Sequence, residues 1–466
     1  MKITIRRLPM TAFDQYLRNR EKGHLIGVGG VSMSPLAEVL AGAGMCITGS
    51  DMAHSEKTEH LESMGVKVYY GHYAENIEPD TRFIVRTAAV HDDNPEIIRA
   101  HEMGIPVFER AEAWGAIMTY YQNALCISGT HGKTTTTSMC THILMAAEKD
   151  PTVMIGGTLP ILKAGHRIGQ GDTIVLESCE YYDSFLNFFP TVAVILNVEE
   201  DHLDYFKEGL PAIEQSFHKF AESVPENGCI VANYEDTNTM DSIAGIDRKV
   251  VTFGLDENAD VYAKNIRFSG AQSTFDLYAY GEKLTDVTLH VPGIHNIRNA
   301  LAAAGACLHL GIKPTAIKYG LAGFNGAGRR FEYKGKYNGA DVYDDYAHHP
   351  GELQATLDAV QQLGYKRTIV VFQPHTYTRT AALFNDFVAQ LKRPDITYLA
   401  EIYAAREVNT LGISSKDICR EINGAKYFAT FEEIVADLKK FAQPGDIILT
   451  IGAGDVYKIG EELVEK

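Results

Sequence analysis

Residues 124–137 read Ala124-Leu125-Cys126-Ile127-Ser128-Gly129-Thr130-His131-Gly132-Lys133-Thr134-Thr135-Thr136-Thr137. The first four residues form a strand-like apolar run, and the threonines lead a helix-like run to about Ala147. A glycine-rich turn between a strand and a helix is a phosphate-binding loop. Gly129 and Gly132 let the backbone approach an anion and turn its N–H groups inward. Lys133 adds a point charge for the β- and γ-phosphates, and the Thr134 hydroxyl is placed to ligate Mg²⁺. Thr130, His131 and Thr135 complete the set expected to border the nucleotide.

The loop sits in a chain of 466 residues, long enough for several domains. Lys plus Arg is 43 and Asp plus Glu is 60, a net charge of −17. That balance argues against a nucleic-acid binder, which usually shows a basic face. No apolar run approaches the roughly 20 residues a bilayer requires, so no membrane insertion is expected. The segment Met1 to Arg20 is basic and polar without an apolar centre, unlike a secretory signal. Seven cysteines are scattered, and none forms a Cys-x-x-Cys pair, so neither a disulfide framework nor zinc is indicated. A cytoplasmic protein is expected.

Working outward from the loop, the pattern predicts an α/β chain of three consecutive modules. A Rossmann-like N-terminal domain spans 1–122, with strands at His24–Val28, Met45–Thr48, Lys67–Tyr70 and Phe83–Arg86 alternating with helices. A central P-loop ATPase-like domain spans 123–325. Its strands are read at Thr173–Leu176, Val192–Asn197, Cys229–Asn233 and Lys249–Phe253, with an antiparallel edge from Val261 to Val291. A Rossmann-like C-terminal domain spans 326–466, with strands at Asp341–Asp344, Thr368–Phe372, Ile396–Ala400 and Asp446–Ile451.

Each module offers polar groups at strand ends, where open α/β sheets bind ligands. In the first, Gly27, Gly29, Gly30, Ser32 and Met33 join a strand to a helix and suit a diphosphate. Ser32 stands where a dinucleotide fingerprint has its third glycine, which argues against a nicotinamide-dependent dehydrogenase. Ser50 and Asp51 end the next strand, where an acid commonly takes a ribose hydroxyl. In the second module, Glu177 ends a buried-type strand on the loop's edge and suits Mg²⁺, with His202 a candidate for a second metal ion. His295 and Asn299 share one helix face and can both hydrogen-bond an adenine edge; a helix cap and its neighbour is the plainer account. In the third, Arg329, Asp345 and His348 follow the glycine-rich stretch Gly323 to Gly328, which reads as a hinge.

The shortened Gly-Thr-x-Gly-Lys-Thr loop, with two residues rather than four between its glycines, is typical of ligases that activate a carboxylate with ATP. With Gly27–Met33, Asp201-His202-Leu203-Asp204, Gly293–Asn299, Arg329-Arg330-Phe331-Glu332, Asp344–Pro350 and Phe372–Thr380, the chain resembles the Mur ligase family over its whole length. The resemblance implies a ligase that uses ATP and Mg²⁺, phosphorylates the carboxylate of UDP-N-acetylmuramate and joins it to L-alanine. A recycling member that takes a preformed tripeptide is the alternative, and would need a wider third-module pocket. By resemblance Lys133, Glu177, His202, Arg329 and His348 are catalytic, with Thr134, Glu177 and His202 at the metal. His295, Asn299 and Asp345 join the loop at ATP. A monomer or weak homodimer is expected. Two departures stand out: Glu177-Ser178-Cys179-Glu180-Tyr181-Tyr182-Asp183 replaces the family's usual Glu-Ala-Asp-Glu-Ser-Asp, and Thr376 stands where arginine is usual.

Overall fold

The computed structural model describes residues 11–87, 89–405 and 407–464; the first ten residues of the basic N-terminal segment lie outside them. The described chain builds three sheets in sequence order. The first contains β1 (Gly23–Ile26), β2 (Ile47–Asp51), β3 (Lys67–Tyr70), β4 (Phe83–Arg86) and β5 (Val107–Glu109). Its order is β3-β2-β1-β4-β5, all parallel, and it reverses at β1. Such a reversal opens a crevice at the carboxyl ends of the strands, where the Gly27–Met33 turn stands.

The middle sheet has ten strands: β6 (Asn123–Ser128), β7 (Thr152–Leu159), β8 (Ala164–Arg167), β9 (Thr173–Glu177), β10 (Val192–Ile195), β11 (Cys229–Asn233), β12 (Lys249–Gly254), β13 (Val261–Ser269), β14 (Gln272–Ala279) and β15 (Glu282–Leu289). Their order is β15-β14-β13-β12-β11-β10-β6-β9-β7-β8. The loop-bearing β6 is central, and β13 to β15 form the expected antiparallel edge. Burial alternates along β14, so one face meets the core and the other faces outward. The β7–β8 hairpin is absent from the sequence reading, because Gly156, Gly157 and Gly165 weaken the strand signal there.

The third sheet has β16 (Glu332–Tyr337), β17 (Ala340–Asp345), β18 (Arg367–Phe372), β19 (Ile396–Leu399), β20 (Lys426–Tyr427) and β21 (Asp446–Ile451). Its order is β16-β17-β21-β18-β19-β20, parallel except for β16.

The cores divide unevenly. One apolar cluster runs from Leu25 and Phe83 in the first sheet through Trp114 to Phe185 and Phe217 in the middle module. The helix Arg110–Met118 is buried along most of its length at this seam. Gly115 is required there, since a Cβ would come within 2.0 Å of the Asn187 carbonyl oxygen. The third module has two apolar clusters of its own. The first two modules are thus joined by core, and the third meets the middle one through a largely polar face.

Candidate active site

The turn after β6 is built as a cradle. Gly129 has φ 133° and Gly132 φ 84°. A Cβ on Gly129 would stand 2.9 Å from the Leu196 Cβ, and one on Gly132 would stand 2.6 Å from Asn299 Oδ1. The loop is tied to the segment after β10: His131 N donates to Asn197 Oδ1 at 2.7 Å, and Glu199 N donates to Thr130 Oγ1 at 2.9 Å. The helix Lys133–Ala146 follows, and its dipole and free amides point at the cradle.

Lys133 folds back onto its own loop. Its Nζ donates to the carbonyls of Gly129 and Thr130 and lies 3.1 Å from Glu180 Oε2. Burial alone would depress its pKa, but the carboxylates of Glu180 and Glu177 outweigh it and hold the lysine protonated. Thr134 Oγ1 donates to Glu177 Oε1 at 3.0 Å, while Gly156 N donates to Glu177 Oε2 at 2.6 Å. The glycine is needed: a Cβ at position 156 would lie 2.7 Å from Glu177 Oε1. Glu177 and Thr134 thus present hard oxygens side by side, a donor set that fits Mg²⁺. His202 has φ 55° and is stacked on Tyr181, its Nε2 3.8 Å from Glu180 Oε1. Burial keeps its imidazole below the usual histidine range, in the neutral form a metal would require.

A cavity of about 230 Å³ opens between the middle and third modules. Its walls include His131, Gly132, Thr135, His295, Asn299 and Asp345, so the structure brings together loop, helix and third-module residues read from the sequence. Burial drives His295 down to about 4, which leaves it neutral. Asp345 is buried, and its carboxylate accepts from the amides of Phe331 and Ala347 at 2.8 Å each. Burial raises its pKa to about 6.

The adjacent arginines both line a second cavity of the cleft, with Thr134 and Gly156, but their guanidinium groups take different partners. Arg329, expected in the cleft, pairs with Asp344 at 2.9 Å and donates to the carbonyls of Gly452 and Gly454. It also packs on the rings of Tyr346 and Tyr457, so its guanidinium braces the third module. Arg330 instead reaches across, with Nη2 3.3 Å from Thr134 Oγ1. Positive φ at Arg329 (57°) and Phe331 (49°) produces this divergence, which residue spacing does not reveal.

Further cross-module contacts went unread in the sequence. Arg379 binds Asp201 Oδ1 at 3.0 Å and also contacts His375 Nδ1 at 3.2 Å. His131 lies between Glu199 (3.4 Å) and Glu352 (3.2 Å), which overcome its burial and raise it to about 10. His348 lies against Glu352 at 3.3 Å, yet burial lowers it to about 4. Thr376 has φ 67° and carries no charge to the cluster.

In the first module the turn is more self-contained than its glycines suggested. Gly27 N and Val28 N donate to Ser50 O, Gly30 N to Gly27 O, and Met33 N and Ser34 N to Gly30 O. Gly29 N donates to Asp51 Oδ2 at 2.8 Å, and Asp51 Oδ1 accepts from Ala53 N. The Asp51 carboxylate therefore braces the turn, and each of its oxygens keeps a lone pair for a further donor. Ser50 Oγ donates to buried Glu96 at 2.8 Å, and the Met33 side chain lies in the core. Val31 and Ser32 are left as the turn residues whose amides can face a diphosphate.

Comparison with known proteins agrees with this arrangement. Family models described as "Mur ligase family, catalytic domain", "Mur ligase middle domain" and "Mur ligase, glutamate ligase domain" match residues 22–122, 127–307 and 329–454. The chain is 46% identical to the UDP-N-acetylmuramate–L-alanine ligase of Clostridium novyi over 459 residues, 97% of this chain and 99% of that protein. It is 47% identical to the enzyme of the same name from Acetivibrio thermocellus over 444 residues, 94% of each chain. The crystal structure of a UDP-N-acetylmuramate–alanine ligase from Thermotoga maritima superposes with a TM-score of 0.79 at 27% identity, covering 95% of this chain and 98% of that one. Three family domains in order, each on its own sheet, and near-full-length identity of this degree establish that the chain belongs to the Mur ligase family.

Proposed function

We propose that this protein is an ATP-dependent amide ligase that joins L-alanine to the carboxylate of UDP-N-acetylmuramate, releasing ADP and phosphate, in the synthesis of peptidoglycan precursors. The observation that carries the reading is the convergence of the shortened loop, the Glu177–Thr134 oxygen pair and the third-module cations on one cleft. The near-full-length identity to enzymes of that name selects the substrates.

The chemistry needs no covalent bond to the enzyme. A carboxylate oxygen of the sugar nucleotide attacks the γ-phosphorus, ADP leaves, and the acyl phosphate forms. The neutral amine of L-alanine then attacks the acyl carbon and expels phosphate, which carries away the proton the nitrogen loses. Negative charge spreads over the phosphoryl oxygens during transfer. Lys133, once released from Glu180, and Arg330 are the side-chain cations suited to offset it. Mg²⁺ bound by Glu177 and Thr134, with His202 the candidate ligand of a second ion, would further screen phosphate charge. His295 and Asn299 suit the adenine end of the cavity. The same reading divides the chain near residues 122 and 325. It also assigns a cytoplasmic location; no helix among the described residues is long and apolar enough to cross a membrane.

The test is phosphate release from ATP with UDP-N-acetylmuramate and, separately, L-alanine, glycine, L-serine and an L-alanine-containing tripeptide. L-Alanine should give the highest kcat/KM. Activity confined to the tripeptide would overturn the reading.

A further inference from the structure

The phosphate loop meets the third module at a cluster that the Mg²⁺ donors Glu177 and Thr134 do not share. His131 comes from the loop, Glu199 from the segment after β10, and His349 from the turn that opens the helix Pro350–Leu363. One ligand atom from each lies within 4.8 Å of the other two. Gly351 leaves the space on which they converge. A Cβ built there would stand 3.3 Å from Glu199 Oε2, 3.5 Å from His349 Nδ1 and 3.6 Å from His131 Nε2. Beyond the adjoining residues, these three are the nearest atoms to it.

Each of the three atoms can ligate. Both ring nitrogens of His131 are buried, and neither has a hydrogen-bond partner among the described residues. Its Nδ1 faces Glu352 Oε1 at 3.2 Å, which leaves Nε2 for an ion. His349 Nε2 lies 3.2 Å from the Glu200 carbonyl, which can only accept, so the proton sits there and Nδ1 keeps its lone pair. That lone pair takes only a long bond, 3.3 Å from Gly351 N. Glu199 Oε2 is 3.4 Å from His131 Nε2, and a metal ion can take the place of the proton between them.

The geometry points to a second metal site: His131, Glu199 and His349 bind a divalent transition cation such as Zn²⁺, which fastens the phosphate loop to the third module. Two imidazoles and a carboxylate are a zinc donor set, whereas the oxygens of Glu177 and Thr134 suit Mg²⁺. Three protein ligands leave a fourth tetrahedral position open. Glu352 accepts from His131 Nδ1 and orients the ring, as a carboxylate behind a metal-bound histidine does. Because His349 belongs to the third module and the other two ligands to the middle one, the complete site exists only when the modules are docked, and the ion stabilises that arrangement.

The test titrates Zn²⁺ into the full chain by calorimetry, with Mg²⁺ in large excess and no nucleotide, for wild type, Gly351→Ala, His349→Ala and Glu352→Gln. Wild type should bind the ion. Glu352→Gln, which changes only the group behind His131, should weaken binding about tenfold. His349→Ala, which removes a ligand, should cost more. Gly351→Ala keeps every ligand and fills the gap, so it should also cost more than Glu352→Gln. Gly351 has no positive φ, so alanine is compatible with its backbone, and the zinc-free variant should melt near wild type. Should it fail to fold, His349→Ala carries the comparison. Zn²⁺ should raise the melting temperature of wild type and not that of Gly351→Ala. Co²⁺ in place of Zn²⁺ should give a visible spectrum without a thiolate charge-transfer band, since no cysteine is a ligand. Absence of Zn²⁺ binding in excess Mg²⁺ would overturn the inference. Equal affinity in wild type, Gly351→Ala and His349→Ala would also overturn it, as would a thiolate band.

Discussion

Glu180 holds the ammonium of Lys133: Nζ lies 3.1 Å from Oε2 and 3.3 Å from Oε1, and the carboxylate is buried. The loop lysine is thus balanced before any phosphate arrives, and nucleotide must exchange one anionic partner for another. Lys133→Ala should lower kcat by about 100- to 1,000-fold, the usual cost of removing one group that meets developing charge. A folded variant that keeps a tenth of wild-type turnover would remove Lys133 from the reaction.

Glu180→Gln isolates the other half of the pair. Leaving a buried lysine without its carboxylate should destabilise the ligand-free protein by about 3 kcal/mol. ATP with Mg²⁺ should restore much of that, because the phosphates supply the missing charge. Thermal unfolding with and without nucleotide reads both effects, and a deficit that nucleotide leaves unchanged would contradict the exchange.

Glu177→Ala should raise the Mg²⁺ concentration needed for half-maximal rate more than His202→Ala does, since a carboxylate is the harder ligand. Gly156→Ala should act in the same direction as Glu177→Ala without touching the carboxylate, because the added methyl collides with Glu177. Identical Mg²⁺ titrations for all three variants would place the metal elsewhere.

How far the sequence carried this site follows from what each contact depends on. The loop and Glu177 were readable because local order determines them: glycine spacing, a strand before and a helix after. Arg330 was not, because two left-handed residues decide which of two neighbouring arginines crosses the cleft. The partnerships Asp201–Arg379 and His131–Glu352 arise only when the third module docks, and no local pattern encodes docking. Asp51 and Ser50 were read as ligand contacts from their strand-end position; the fold adds partners that position does not reveal, the turn amide of Gly29 for Asp51 and buried Glu96 for Ser50. Trp114 and Phe185 show a further limit, since a core shared between modules looks like two separate cores in sequence.

His131 makes this docking dependent on pH. Its pKa, near 6.5 when unfolded, is raised to about 10 in the fold by Glu199 and Glu352 against the pull of burial. Because the folded state binds the proton more tightly, its stabilisation is complete below about pH 6.5 and is lost as pH rises through about 10. The stability difference between wild type and His131→Asn should therefore shrink between pH 6.5 and 10. A difference that stays constant over that window would refute the coupling.

The third module should move while the first two stay together, since Trp114 and Phe217 belong to one apolar cluster and the third module keeps its own. Gly326, at φ 104° within the connecting stretch, can take up the rotation. Breaking the cross-module pair with Arg379→Ala should enlarge the radius of gyration in solution scattering. Saturating ATP analogue and UDP-N-acetylmuramate should reverse at least part of that expansion. Identical scattering from wild type and variant, with and without ligands, would contradict the hinge.

The central claim is that ATP activates the sugar-nucleotide carboxylate for attack by L-alanine, and oxygen tracing tests it most directly. UDP-N-acetylmuramate carrying ¹⁸O in both carboxylate oxygens is turned over with ATP and L-alanine, and the products are weighed by mass spectrometry. Passage through an acyl phosphate moves one ¹⁸O into the released phosphate and leaves the other in the amide. Unlabelled phosphate, formed alongside amide product, would contradict the account.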